Sequence, residues 1–379
     1  MHSLDLLCTI VALLLVSPIA AAPTTLGVTY KPSAPNLPSP ELVVSSLHSL
    51  RVPAVRLVDP TPAAVRAFAY TNISLLLSVP NHLIPSFAAN RSSATFWLYS
   101  HVLPYHPRTR ISVISVGSDV ITTTAAASDP VHDLLPAMRN LRSALIDLGI
   151  RSIPVSTTFS FIDIMTTSFP PSAAEFQEPI GSLLIRPLLH FLSETNSSFL
   201  INLYPYRIYT INSEIPIGFL LFQEYPFNFR DDVITGVRYR NLFDMMVDAV
   251  IAAMAVSGQE NIPVIVAETG WPSDGEAELA GNYAEMYLKG LVKHLRSGVG
   301  TPLRKDGAAE VHIYQLFDES DMSSDNNSTA MGPRGNWGIM YNNMSMKYNV
   351  EISGSATGDG KKLVGITVLI VLPSLLLFA

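Results

Sequence analysis

Glu268 closes the apolar run in "VIVAETGWPSDG" (264–275), at the point where a buried strand would give way to a loop. A carboxylate placed there can attack a carbon or carry a proton, provided a second carboxylate faces it. Four others end similar runs: Asp59 in "AVRLVDP", Asp119 in "ISVISVGSDV", and Asp318 and Glu319 in "VHIYQLFDES". Asp59 precedes a proline and reads as a helix cap or turn former. Two carboxylates across a cleft, with aromatic residues nearby, are what glycoside hydrolysis needs. One protonates the leaving oxygen, and the other attacks the anomeric carbon or activates water. Tyr30, Tyr204, Trp271 and Trp337 fall at or near the ends of such runs. Their rings suit platforms for sugars, and equally suit a core.

Competing chemistries leave no trace. The nine histidines are scattered without an H-E-x-x-H pair, and there is neither a P-loop nor a G-x-S-x-G elbow. No metal and no cofactor is therefore expected. The single cysteine, Cys8, lies in the first apolar segment, which removes thiolate ligands and a cysteine nucleophile from the rest of the chain. A formal charge of −7 argues against a nucleic-acid partner, since no basic face is available for phosphates.

The elements that must hold these side chains are visible as eight apolar, β-rich runs: 25–30, 54–59, 73–79, 111–116, 152–158, 199–204, 263–268 and 311–317. They are continuous rather than alternating, as expected of strands buried on both faces. Helical stripes fill the intervals. Residues 40–50 follow Ser39 as a cap, with Pro40 in the first turn, and the stripes at 131–149, 241–258 and 279–298 each run out at a glycine. Eight such units predict an α/β fold, a closed (β/α)8 TIM barrel. A doubly wound sheet would carry a glycine-rich turn after its first strand, where "VTYKPSAPN" stands instead. Residues 205–240, rich in aromatics and proline, are too long for a simple connection and predict a small rim subdomain after strand 6.

Both ends read as processing signals. Residues 1–22 have the apolar run and small-residue flank of a secretory signal peptide. Residues 351–379 offer small residues at 353–356, a short polar spacer ending at Lys362 and an apolar tail, the layout of a GPI-anchor signal. The domain between them is expected to span 23–350. Asn72, Asn90, Asn196, Asn326, Asn327 and Asn343 begin glycosylation sequons. These readings place a monomeric glycoprotein on the outer plasma-membrane leaflet, held by its lipid on the cell-wall side.

The motif "VAETGWPSDG" resembles the signature of the plant-type β-1,3-glucanases of glycoside hydrolase family 17, which are (β/α)8 barrels with retaining chemistry. The resemblance continues in order through "LGVTY", "VRLVDPTPAAVRAF", "VLPYHPRTRISVISVG", "FLINLYPY" and "VHIYQLFDE". It implies that Glu268 is the nucleophile and Asp119 the acid. It also implies that Tyr30, Ser118, Asn202, Tyr204, Trp271, Glu319 and Trp337 lie along the substrate, a β-1,3-glucan of callose type.

Departures accompany it. The family's "VGNEV" reads "VGSDV", so Ser118 replaces an amide and Asp119 replaces a glutamate. The shorter side chain withdraws the carboxyl by roughly 1.5 Å on an unchanged backbone. A misplacement of about 1 Å can cost on the order of 100-fold in rate. Met322 stands where the family has lysine, and Arg334 where it has glutamate. The expectation is a glucan endo-1,3-β-D-glucosidase slowed by its acid. The alternatives are a cell-surface β-glucan-binding protein with a degenerate site, or a transglycosylase.

Overall fold

The computed structural model describes residues 24–121, 131–211, 214–274, 280–319 and 336–353. The leader at 1–22, the tail from 354 onward, Met322, Asn326, Asn327 and Arg334 lie outside them.

Eight parallel strands close into a barrel. They are β1 (Thr25–Tyr30), β2 (Ala54–Leu57), β3 (Ser74–Val79), β4 (Arg110–Ser118), β5 (Val155–Ser160), β6 (Phe199–Asn202), β9 (Val264–Thr269) and β10 (Glu310–Ile313). Between β6 and β9, residues 205–240 form the rim excursion. It holds the helices Pro205–Ile211 and Ile217–Leu220 and the antiparallel pair β7 (Arg230–Asp231) and β8 (Arg238–Tyr239). The barrel closes where β1 pairs with both β2 and β10.

Period-two alternation sorts each strand into two faces. Leu26 and Val28 of β1, Val55 and Leu57 of β2, and Phe199 and Ile201 of β6 join the large core that includes the surrounding helices' apolar faces. The other phase fills the barrel, where Leu76, Val113, Leu200, Ile265 and Ala267 form a separate small cluster. Arg56 shares the phase of Ala54, opposite to Val55 and Leu57, and is completely buried.

Sequence-predicted helix ends hold up in detail. Ser39 accepts from the Leu42 N–H (3.5 Å) as expected; Asn241, not singled out from the sequence, caps its helix by accepting from the Asp244 N–H (2.7 Å). Asp59 is a turn former with φ of 50°, while the cap of the following helix, Pro62–Ala67, is Thr61. The fifth strand starts at Val155, three residues after the predicted start, because Pro154 cannot donate to a ladder. Register shifts interrupt β4, β6 and β9 at their C-terminal ends, where the candidate side chains emerge.

Among the described residues no helix is long and apolar enough to cross a membrane. Asn72, Asn90, Asn196 and Asn343 are all exposed.

Candidate active site

Glu268 sits one residue from the end of β9 and is 6% exposed. Its two carboxylate oxygens have different donors: Arg56 from β2 reaches Oε1, and the Tyr204 hydroxyl reaches Oε2. The second guanidinium nitrogen of Arg56 donates to Ser118 Oγ at the end of β4 (3.2 Å). One cation thus ties together the ends of β2, β4 and β9. A buried carboxylate without a counter-charge would cost several kcal/mol, and Arg56 is what offsets that cost.

Asp119 follows β4 in the left-handed region, with φ of 48°. It enters that turn after Gly117, whose φ is +73° and whose missing side chain leaves room for Ile84, Val120 and Asn81. Asn81 locks the turn by bonding the Ser118 carbonyl and N–H (2.9 and 2.8 Å), and the Asp119 N–H donates to the Thr158 carbonyl (3.0 Å). The carboxyl is gripped by Asn202, whose Nδ2 lies 3.1 and 3.0 Å from its two oxygens. Asn202 is also the register partner of Glu268 across β6 and β9. The two carboxylates therefore flank one amide at the C-terminal mouth of the barrel.

The surroundings act on Asp119 in opposite senses. Burial raises its pKa most, and the Asn202 hydrogen bond and the charges of Arg56 and Arg207 pull it back. The result is about 6 instead of 3.8. Burial likewise pushes the Tyr204 hydroxyl well above its ordinary value, so it is a neutral donor to Glu268. For Arg56, burial lowers the pKa of the guanidinium, opposed by Tyr204 and Asp119.

An aromatic wall completes the site. Trp337 packs edge-on against Tyr204 (5.4 Å), Tyr206 (5.7 Å) and Tyr314 (5.9 Å). Tyr206 in turn meets Trp271 at 5.1 Å. The signature glycine has a steric reason: a Cβ at Gly270 would lie 2.3 Å from the Tyr314 carbonyl oxygen. Ser273 and Asp274 hold the backbone of Asn336, which fixes Trp337 next to it.

The predicted residues divide accordingly. Glu268, Asp119, Ser118, Asn202, Tyr204 and Trp337 converge. Tyr30 does not join them; it shares the phase of Leu26 and Val28, lies in the core outside the barrel and makes its ring contact with Phe317. Trp271, buried like Trp337, joins the wall through Tyr206 and otherwise packs against Tyr283 and Tyr287. Glu319 pairs with Lys31 (3.2 Å) at the rim. Asp318 is taken by Lys347 and the Gly338 N–H. Sequence reasoning missed Arg56, Tyr314 and Arg207. Arg56 had a readable signal, a lone charge in the apolar run "AVRLV". Among the described residues no group of three or more His, Cys, Asp or Glu side chains is placed to hold a metal.

The description of Glycosyl hydrolases family 17 matches residues 26–352, nearly the whole of the described barrel. The chain belongs to this family. Among its relatives, the glucan endo-1,3-beta-glucosidase 13 of Arabidopsis thaliana is 34% identical over 341 residues, covering 88% of this chain and 64% of the relative. This chain thus spans just under two thirds of that relative's length. A glucan endo-1,3-beta-glucosidase of Vitis vinifera is 32% identical over 340 residues, covering 89% of this chain and 95% of the relative. Among solved structures, CJP38, a beta-1,3-glucanase and pollen allergen of Cryptomeria japonica, superimposes with a TM-score of 0.79 at 32% identity. That match covers 87% of this chain and all of the other. In this family 17 barrel, the two carboxylates at the mouth are thus an aspartate in a left-handed turn and a glutamate at a register shift in β9.

Proposed function

We propose that the protein is a retaining endo-acting β-1,3-glucanase. The observation that carries this reading is the pair of carboxylates flanking Asn202, one tied to Arg56 and Tyr204 and the other raised to about 6. In the first step the Glu268 carboxylate attacks the anomeric carbon and Asp119 gives its proton to the departing glycosidic oxygen. In the second, Asp119, now a carboxylate, takes a proton from the water that displaces Glu268. Asn202 Oδ1, buried and without a protein partner among the described residues, is available to accept from a sugar hydroxyl at this point. The kinds of activity named for the relatives support a β-1,3-glucan as substrate.

The same proposal places the domain outside the cell as a monomeric glycoprotein, lipid-anchored through the segment after 350. Four exposed sequons, Asn72, Asn90, Asn196 and Asn343, support that placement.

The test is hydrolysis of laminarin by the purified protein, with the anomeric form of the product followed by NMR. Cleavage with retention is expected, and Asp119→Asn should reduce it by about 10²–10⁴-fold. Asp119→Glu is expected to raise turnover, by up to about 100-fold where reach is limiting. A slower glutamate variant would mean that the turn at Asp119 is adapted to the shorter acid. A wild type that is silent on laminarin yet retained on a β-1,3-glucan column would replace hydrolysis with binding.

A further inference from the structure

Asn90 joins two consecutive helices, Ile84–Ala89 and Arg91–His101. It is exposed and extended, with φ of −149° and ψ of 118°. Its Oδ1 accepts from the Ser92 N–H (2.8 Å) and caps the second helix. Its Nδ2, the atom to which an N-linked sugar attaches, makes no bond among the described residues. A groove of about 470 Å³ begins beside this junction and is lined by both helices. Leu83 and Phe87 contribute from the first, Phe96 and Trp97 from the second, and Ser92 and Ser93 stand at the Asn90 end. The hydroxyls of those two serines bond to no other group among the described residues. The floor is well fixed. Phe87 meets Trp97 edge-on (6.4 Å), Trp97 stacks on His101 (4.6 Å), and Asn140 donates to the Phe87 and Ala88 carbonyls (2.8 and 3.0 Å). The lip is open, with Phe96 76% exposed. An apolar strip that open, beside free hydroxyls, marks a binding surface.

We propose that this groove seats the first sugars of an N-linked glycan carried by Asn90. The proposal rests on the glycoprotein reading of the sequon Asn90-Arg91-Ser92, and adds where its sugar lies. Asn90 stands at the head of the groove, so the ligand is tethered there at high effective concentration. Ser93 and Trp97 fall three and seven positions after it, on the helix stripe that runs down from the cap. Phe96 lies about 9 Å along the helix axis from Asn90, within reach of the first sugar rings. A pyranose has apolar C–H faces and a rim of hydroxyls, which match aromatic rings flanked by serines. The cap and the sugar do not compete, because the cap uses Oδ1 and the sugar takes Nδ2.

The experiment uses the protein secreted from a eukaryotic host with carbon-13-labelled sugars. Mass spectrometry should find Asn90 occupied. In NMR spectra the sugar protons on Asn90 should lie upfield of those on Asn72 and Asn343, shifted by the Phe96 and Trp97 rings, and Phe96→Ala should return most of that shift. Ser92→Ala removes the sequon yet keeps the Asn90 cap, and should lower Tm by about 2 °C. Ser92→Thr restores the sequon and should restore Tm. Phe96→Ala should lower Tm in the wild type and not in the Ser92→Ala background, since both act on one contact. Sugar signals on Asn90 that match those on Asn72, or losses of stability that add, overturn the proposal. Wild-type dimers that Phe96→Ala dissolves would give the groove to a second copy of this chain instead. A bare Asn90 also overturns the seat; the glycoprotein reading falls with it only where Asn72, Asn196 and Asn343 are bare too.

Discussion

The two carboxylates of the cleft are held by opposite strategies. Glu268 lies within β9 at a register shift, is almost fully buried and receives a guanidinium and a phenol. Asp119 lies beyond its strand in a left-handed turn, is half-buried and receives a neutral amide. A group that must be a nucleophile needs its charge fixed and its direction constant. A group that must exchange a proton twice needs neighbours that nearly balance its two forms. On the glucanase reading, this difference lets one barrel mouth give two carboxyl groups two roles, through backbone conformation and partner charge.

The sharpest way to break this contrast is to remove each charge in turn. Glu268→Gln should abolish cleavage, by about 10⁴-fold or more, on laminarin and on a dinitrophenyl laminarioligosaccharide alike. Asp119→Asn should fail mainly on laminarin, since the dinitrophenol leaves without needing a proton. Stopped-flow release of the phenol separates the two cases. Equal losses for both variants on the activated substrate would erase the distinction.

Removing the support is the next largest effect. Arg56→Met leaves Glu268 buried without a cation and should cost about 3–5 kcal/mol of stability, read as a lower denaturant midpoint at neutral pH. Asn202→Ala, on the acid side, should cost less stability. It takes away the donor that favours the carboxylate, so the Asp119 pKa rises above about 6 and the basic limb of kcat/KM moves up by about one unit. Tyr204→Phe is the matching change at the nucleophile and should lower kcat without moving that limb. A limb that moves with Tyr204→Phe and not with Asn202→Ala would reverse the assignment of roles.

Much of the fold was legible because barrel strands buried on both faces read as unbroken apolar runs, and because a cap such as Ser39 acts within three residues. Strand ends were less legible. The eighth run was expected to reach 317, and the strand stops at Ile313: the Tyr314 N–H still reaches Thr269 of β9, but the Gln315 N–H turns to the Trp337 carbonyl instead of continuing the ladder. Tyr30 was placed at the cleft by its position near a strand end, yet the two-residue alternation that carries Val28 outward carries Tyr30 outward as well.

Sequence alone determined the barrel and the family resemblance and pointed to the two carboxyl groups, because each depends on local pattern or on a contiguous motif. Only the tertiary structure decided their environment. Arg56 meets Glu268 across 212 positions, and Asn202 meets Asp119 across 83. Such partners are chosen by barrel closure and register, which sum over all eight strands. The proton affinity of Asp119, set by burial and by groups from four other elements, exists only once the barrel has closed.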